Sequence, residues 1–251
     1  MTTNTYADRV TVVTGGNAGI GRSVAEVLRD RGARVHIVDR NTERPAASVR
    51  VWQADVTDQE ALNTVFGDIG ATEGRIDVLV NNAGISYVGT VEDGTMDDWL
   101  RLYDVNVLGY VRATRSALPY LRQGNAPAIV NMASCTAASG LRDRALYSAT
   151  KGAIESMTRA MAADLVTEGI RVNAINPGTV DTPFMERLAA EAPDPVARRA
   201  QFEARQPTGR MVLPTEVGEA VAYLGAPWAR STVGTVLTVD GGLAGLRITQ
   251  A

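Results

Sequence analysis

Short runs with no polar side alternate along this chain with longer stretches whose apolar residues recur every three to four positions. Seven short runs, at 9–14, 33–39, 49–53, 76–81, 128–133, 171–175 and 235–239, are mostly rich in Val and Ile, and several are bounded by Gly, Asn or Asp. They predict strands. Helical spacing is clearest at 21–31, 58–69, 97–121, 147–168 and 214–224. Strands without a polar side must be covered on both faces, and strands separated by helices run parallel. With right-handed crossovers, the pattern predicts an α/β fold. It is one doubly wound, Rossmann-like parallel sheet of about seven strands, in a single dinucleotide-binding and catalytic domain spanning 1–251.

One segment breaks the rhythm. Residues 183–212 carry Pro183, Pro193, Pro195 and Pro207 among alanines and charges. They predict a helical insertion with loops. It follows a strand end, where ligands bind in such sheets, so it is expected to act as a substrate lid.

Composition removes several classes of function. A 251-residue chain with 45% hydrophobic and 21% charged residues is globular, and a net charge of −3 without a Lys/Arg run leaves no footprint for nucleic acid or an anionic membrane. The N-terminal stretch has no apolar signal core, and no apolar run approaches a membrane span. Cys135 is the single cysteine, which fits a reducing compartment, and a cytoplasmic protein is expected. His36 is the single histidine and lies within a strand run, so a Ser-His-Asp or Cys-His hydrolase and most zinc sites have nothing to build on. No metal site is expected.

The first strand runs straight into Thr14-Gly15-Gly16-Asn17-Ala18-Gly19-Ile20-Gly21 and then a helix. Glycines allow a tight turn whose N–H groups approach a pyrophosphate at the helix N-terminus. The spacing is a variant of the dinucleotide fingerprint and makes Gly15, Asn17, Gly19 and Ile20 candidate cofactor contacts. Strand two ends in Asp39, whose carboxylate can accept both adenosine ribose hydroxyls and repels a 2′-phosphate, which favours NAD over NADP. Arg40, directly after it, could pair with such a phosphate, and Asp39 could instead cap the following turn. Asp55 and Val56, after strand three, either flank the adenine or, for Asp55, simply make a turn.

Further motifs follow in order: Asn81-Asn82-Ala83-Gly84 after strand four, Asn106 in a long helix, and Ser134 after strand five. Tyr147-Ser148-Ala149-Thr150-Lys151, Pro177-Gly178-Thr179-Val180-Asp181-Thr182 and Asp240-Gly241-Gly242 complete the set. Taken together they resemble the short-chain dehydrogenase/reductase family over nearly the whole chain. The resemblance implies a nicotinamide cofactor and a homotetramer. It also implies a catalytic set of Asn106, Ser134, Tyr147 and Lys151. Asn106 is similar to the family residue whose helix carbonyl holds a water linking the lysine to solvent. Lys151 also binds the nicotinamide ribose, and Asn82, Ala83, Gly84, Pro177, Gly178, Val180 and Thr182 join the cofactor contacts. Thr182 resembles the residue that meets the carboxamide.

The chemistry is also legible in the residues. Tyr147 and Lys151 are four apart and share a helix face. A free tyrosine titrates near pKa 10, too high for a base at neutral pH, but a neighbouring ammonium and a cationic nicotinamide lower it. Tyr147 would then take the alcohol proton as hydride leaves carbon, while Ser134 hydrogen-bonds the same oxygen. Cys135 reads as a small packed side chain. The expected reaction is hydride transfer between NAD and a secondary alcohol or ketone.

Arginines point to the substrate. Arg144 precedes Tyr147 by three residues, and Arg187 and Arg205 lie in the 183–212 segment. That segment is similar to those of cytosolic type-2 3-hydroxybutyrate and 2-keto-3-deoxy-sugar-acid dehydrogenases, which implies a hydroxy acid or sugar acid whose carboxylate these arginines bind. Ketone or ketoacyl reduction and polyol or cyclic-alcohol oxidation are alternatives within the class, and a catalytically silent nucleotide-binding regulator is an alternative outside it.

Overall fold

The structure, a computed structural model, describes residues 5–43 and 48–247. Seven strands form one all-parallel sheet: β1 (Val10–Thr14), β2 (Arg34–Asp39), β3 (Arg50–Gln53), β4 (Val78–Asn81), β5 (Ala128–Met132), β6 (Arg171–Pro177) and β7 (Val236–Val239). Their spatial order is β3-β2-β1-β4-β5-β6-β7. The order reverses between β1 and β4, and this topological switch point opens a crevice at the carboxyl ends of the strands.

The near-continuous apolar runs are explained by the two faces. Neighbouring strand residues point to opposite sides, so Val12, Leu79, Ile129 and Val172 enter one core, while Val13, Val80, Val130 and Ile175 enter the other. The first core is covered by α2 (Gln59–Glu73), α4 (Gly109–Leu121) and α5 (Ala145–Leu165). The second is covered by α1 (Gly19–Asp30) and α8 (Pro214–Gly225). His36 is buried in β2, where its Nε2 meets Glu73 at 3.1 Å and its Nδ1 accepts from the Trp52 indole at 3.0 Å. Burial lowers its pKa and keeps it neutral, a packing role.

Two Asn rungs pin the helices to the sheet centre. Asn81 and Asn131 pair across β4 and β5, with Asn81 donating to Thr114 of α4 and Asn131 donating to Thr158 of α5. Asn81 therefore serves the scaffold.

The stretch expected as a single helix at 97–121 is not uniform. It runs as α3 (Met96–Tyr103), a π-helical turn at Asp104–Leu108, then α4. Such bulges accompany side chains with a task elsewhere. Asn106, on this turn, is fully buried: its Oδ1 accepts the Ile85 N–H at 2.8 Å, and its Nδ2 donates to the Ile85 carbonyl and the Thr150 hydroxyl.

The 183–212 segment forms α6 (Pro183–Ala190) and α7 (Pro195–Glu203), each with proline at its start, where a missing N–H costs nothing. Ala189, Phe202 and Met211 give it a small core of its own. Its two ends meet in a parallel bridge between Val180 and Val212. Arg199 of α7 grips Asp181 through both oxygens, at 3.2 and 2.7 Å. Among the described residues no helix is long and apolar enough to cross a membrane.

Candidate active site

A cleft of about 1230 Å³ runs along the carboxyl ends of the strands, from the turn after β1 to the side chains of α5, α6 and the segment after α7. Its first wall is backbone. Gly15 takes a φ of 62°, and a Cβ there would lie 2.7 Å from the Ala83 Cα, so only glycine lets the turns after β1 and β4 touch. A Cβ on Gly21 would collide with the Gly15 carbonyl and the Asn82 amide. Asn82 itself donates to the carbonyls of Thr14 and Gly15, and the Thr14 hydroxyl accepts the N–H groups of Asn82 and Ala83. The start of α1 has no side-chain cap and no acidic residue in its first turn. Its free N–H groups and positive dipole end are thus available to an anion.

Asp39 stands at the end of β2 with each carboxylate oxygen holding one backbone N–H, from Asn17 and Asn41, both at 3.0 Å. The carboxylate is fixed in place and lines the cleft, and each oxygen keeps acceptor capacity to spare. Asp55 and Val56 line the same wall, and Asp55 also makes the turn by accepting the N–H and hydroxyl of Thr57. A pyrophosphate-sized anion at α1 and a diol at Asp39 fit these groups, so the residues suit a dinucleotide. Asn17, on the turn after β1, is placed differently. Its side chain turns away and donates to the carbonyls of Asn41 and Glu43 instead of lining the cleft.

The reacting end is made by α5 and the end of β5. Tyr147 and Lys151 line the cleft with Ser134. The Lys151 ammonium donates to the Met132 carbonyl at 2.8 Å and lies 5.6 Å from the Tyr147 ring centre. Ser134 caps the short turn Cys135–Ala137 by accepting the N–H and hydroxyl of Thr136. The Asn106 side chain sits beneath the cleft, where it braces Ile85 and Thr150.

Electrostatics here differ from the expectation. Burial pushes the Tyr147 phenol up to about 12, and the nearby Arg144 charge and the Ser134 hydroxyl pull it back only in part. The same burial takes Lys151 down to about 8. A sequence reveals that a tyrosine and a lysine are neighbours but not how deeply both are buried, and desolvation outweighs the pairing in the protein alone. Cys135 is likewise buried, which pushes its thiol up to about 11.

Pro177, Gly178, Val180 and Thr182 close the cleft from the β6 side, and Gly84 closes it from the β4 side. Arg144, Arg187 and Arg205 line it too. Arg144 uses one nitrogen, Nη1, on the Ser86 hydroxyl and the Tyr87 carbonyl, at 3.1 and 3.0 Å. Arg205 stacks on Phe202, 4.9 Å from the ring centre. Among the described residues none of these three arginines has an acidic partner within 4.0 Å, whereas Arg199 and Arg210 beside them do. Burial and the neighbouring Arg198 lower the pKa of both Arg144 and Arg205, and Arg144 adds its own repulsion to Arg205. Sequence reasoning missed Ala18, Val38, Ile85, Val105, Phe184 and Met185 on the cleft walls. Their apolar side chains carry no chemical signal; position near strand ends or in the 183–212 segment could have found all but Val105, which lies on the π-helical turn.

A family model described as enoyl-(acyl carrier protein) reductase matches residues 15–244. The chain belongs to the short-chain dehydrogenase/reductase family. It is 36% identical over 247 residues to cis-4-hydroxycyclohexanecarboxylate dehydrogenase of Sinomonas cyclohexanicum, covering 94% of this chain and 97% of that one. It is 38% identical over 244 residues to L-fucose dehydrogenase of Bos taurus, covering 94% and 90%. Among solved structures it resembles ligand-free Thermoplasma acidophilum aldohexose dehydrogenase, with a TM-score of 0.93, 33% identity and 99% of both chains covered. This member of the family is therefore an oxidoreductase acting on CH–OH groups with a nicotinamide cofactor.

Proposed function

We propose that this dehydrogenase uses NAD to oxidise a secondary alcohol carrying a carboxylate, a hydroxy acid or a carboxylated ring alcohol. The observation that supports the substrate class is the group of arginines without acidic partners, Arg144, Arg187 and Arg205, in the cleft that holds Tyr147. Cations that repel one another in a half-buried cleft favour an anion between them, through charge-assisted hydrogen bonds. The free nitrogens of Arg144 point the same way. Asp39, anchored by two backbone N–H groups, supports NAD over NADP.

In this reading Ser134 donates its hydroxyl hydrogen to the substrate oxygen and fixes it beside Tyr147. The Tyr147 oxygen accepts the hydroxyl proton as the carbinol C–H bond breaks. Bound oxidised nicotinamide supplies the hydride acceptor and a positive charge near the phenol. Lys151, whose pKa near 8 still leaves it mostly ammonium at neutral pH, favours the phenolate. The 183–212 segment serves as the lid, and it brings Arg187 and Arg205 over the substrate.

The test is NADH formation over a panel of carboxylated and neutral secondary alcohols, with the wild type and Arg144→Ala. A carboxylate that loses its guanidinium should cost about 10–100-fold in kcat/KM, while neutral alcohols of the same shape should change little. Equal losses would make Arg144 a purely structural residue. A wild type that prefers neutral substrates would favour the second reading, a sugar or cyclic-alcohol dehydrogenase. The names of the fucose and aldohexose relatives support that alternative.

A further inference from the structure

Ser134 is held from a direction that the reaction chemistry does not require. The last backbone bond between β5 and β6 is Ala133 N–H to the Ile175 carbonyl, at 2.9 Å. One residue further on, the Ser134 N–H finds no backbone partner and donates instead to the side-chain oxygen of Asn176, at 3.1 Å. The Asn176 side chain thus adds one rung to the ladder where the backbone strands part. An amide can present either end, but the Asn176 NH2 donates to Glu155 Oε1 at 2.7 Å, which turns the oxygen toward Ser134. Asn176 is 3% exposed, so a flipped amide would face the Ser134 N–H with another donor in a site with little water. The other Glu155 oxygen is held by Arg159 at 3.2 Å.

Glu155 lies one turn beyond Lys151 and two beyond Tyr147, so one face of α5 carries all three. Lys151 grips β5 at the Met132 carbonyl, and Glu155 grips β6 through Asn176. We infer that Glu155 and Asn176 are positioning residues that set where the Ser134 hydroxyl sits relative to Tyr147, through a directional relay from carboxylate to amide to backbone N–H. The inference rests on the proposed role of Ser134.

Reversing the relay tests it. Asn176→Asp keeps an acceptor for Ser134 but sets a carboxylate against Glu155. Adding Glu155→Gln restores a donor opposite that carboxylate. The assay uses NAD and whichever panel alcohol the wild type turns over, and NADH binding is followed by fluorescence. The single variant should lose about 10–100-fold in kcat with NADH affinity held within about twofold, and the double variant should recover most of the loss. Hydrogen exchange at the Ser134 amide, measured without substrate, should speed up in the single variant and slow again in the double. A double variant no better than the single in both readouts overturns the relay. So does kcat falling only in step with NADH affinity. Exchange that follows the relay while kcat does not would keep the positioning of Ser134 and overturn instead its proposed contact with the substrate.

Discussion

At the β1–β2 end of the cleft the working surface is main chain: the turn through Gly15, the uncapped start of α1, and N–H groups that hold even the Asp39 carboxylate. At the α6–α7 end, Arg187 and Arg205 reach in from side chains on a segment held at its base by the Val180–Val212 bridge, the Asp181–Arg199 pair and Gln206, whose side-chain oxygen accepts the Thr179 N–H. Backbone geometry is fixed by turn chemistry and cannot be changed one residue at a time, so that end suits a ligand common to many relatives. Side chains on an excursion can be exchanged singly.

Tyr147, where the two ends meet, gives the largest expected effect. Tyr147→Phe keeps the ring and removes the proton acceptor, so turnover should fall about 10²–10⁴-fold while NADH fluorescence titration shows unchanged binding. Normal turnover would remove Tyr147 from the chemistry. Gly21→Ala attacks the backbone end. The added methyl meets the Gly15 carbonyl, and overpacking of that kind costs roughly 1–3 kcal/mol. Cofactor affinity should drop by about the same factor whichever alcohol is used. A loss that depended on the substrate would break the division between the two ends.

Lys151 tests the junction through stability. Burial sets its pKa near 8 against an ordinary 10.5, so between these values the unfolded chain binds more protons than the folded one. Stability contributed at this site therefore rises with pH across that window. Urea unfolding of wild type and Lys151→Met at pH 8 and pH 10 should show the wild type gaining roughly 2 kcal/mol relative to the variant. A difference independent of pH would mean the ammonium is not desolvated. The smallest effect is expected at Asp39, a side chain of the backbone end. Asp39→Ala should narrow the NAD preference over NADP by roughly tenfold, because one repulsive carboxylate is lost. A wild type that already favours NADP would make Arg40 the deciding residue.

The sheet was readable because burial on both faces leaves no charged position and no alternating polar face in Val10–Thr14 or Ala128–Met132, and the glycine turn was readable because its steric reason is local. Helices α6 and α7 announced their starts through Pro183 and Pro195. What escaped depends on distance in space. The π turn at Asp104–Leu108 follows from Asn106 reaching Ile85, 21 residues away in sequence. The outward turn of Asn17 depends on carbonyls beyond β2, and the raised Tyr147 pKa depends on how completely the surrounding chain covers the phenol. Glu155 and Asn176 also lie 21 residues apart, and nothing in their spacing marks them as partners.

The bridge between Val180 and Val212 has a consequence for descent. Because the excursion leaves after β6 and returns to α8 at neighbouring points, its length can vary while the strands keep their register, and closing a longer loop adds only about 0.6 kcal/mol per doubling. Its small core of Ala189, Phe202 and Met211 can travel with it. The base of the segment is clipped by that bridge and by Gln206, whose side-chain oxygen accepts the Thr179 N–H, so the two helices beyond these clips can be exchanged without renegotiating the sheet.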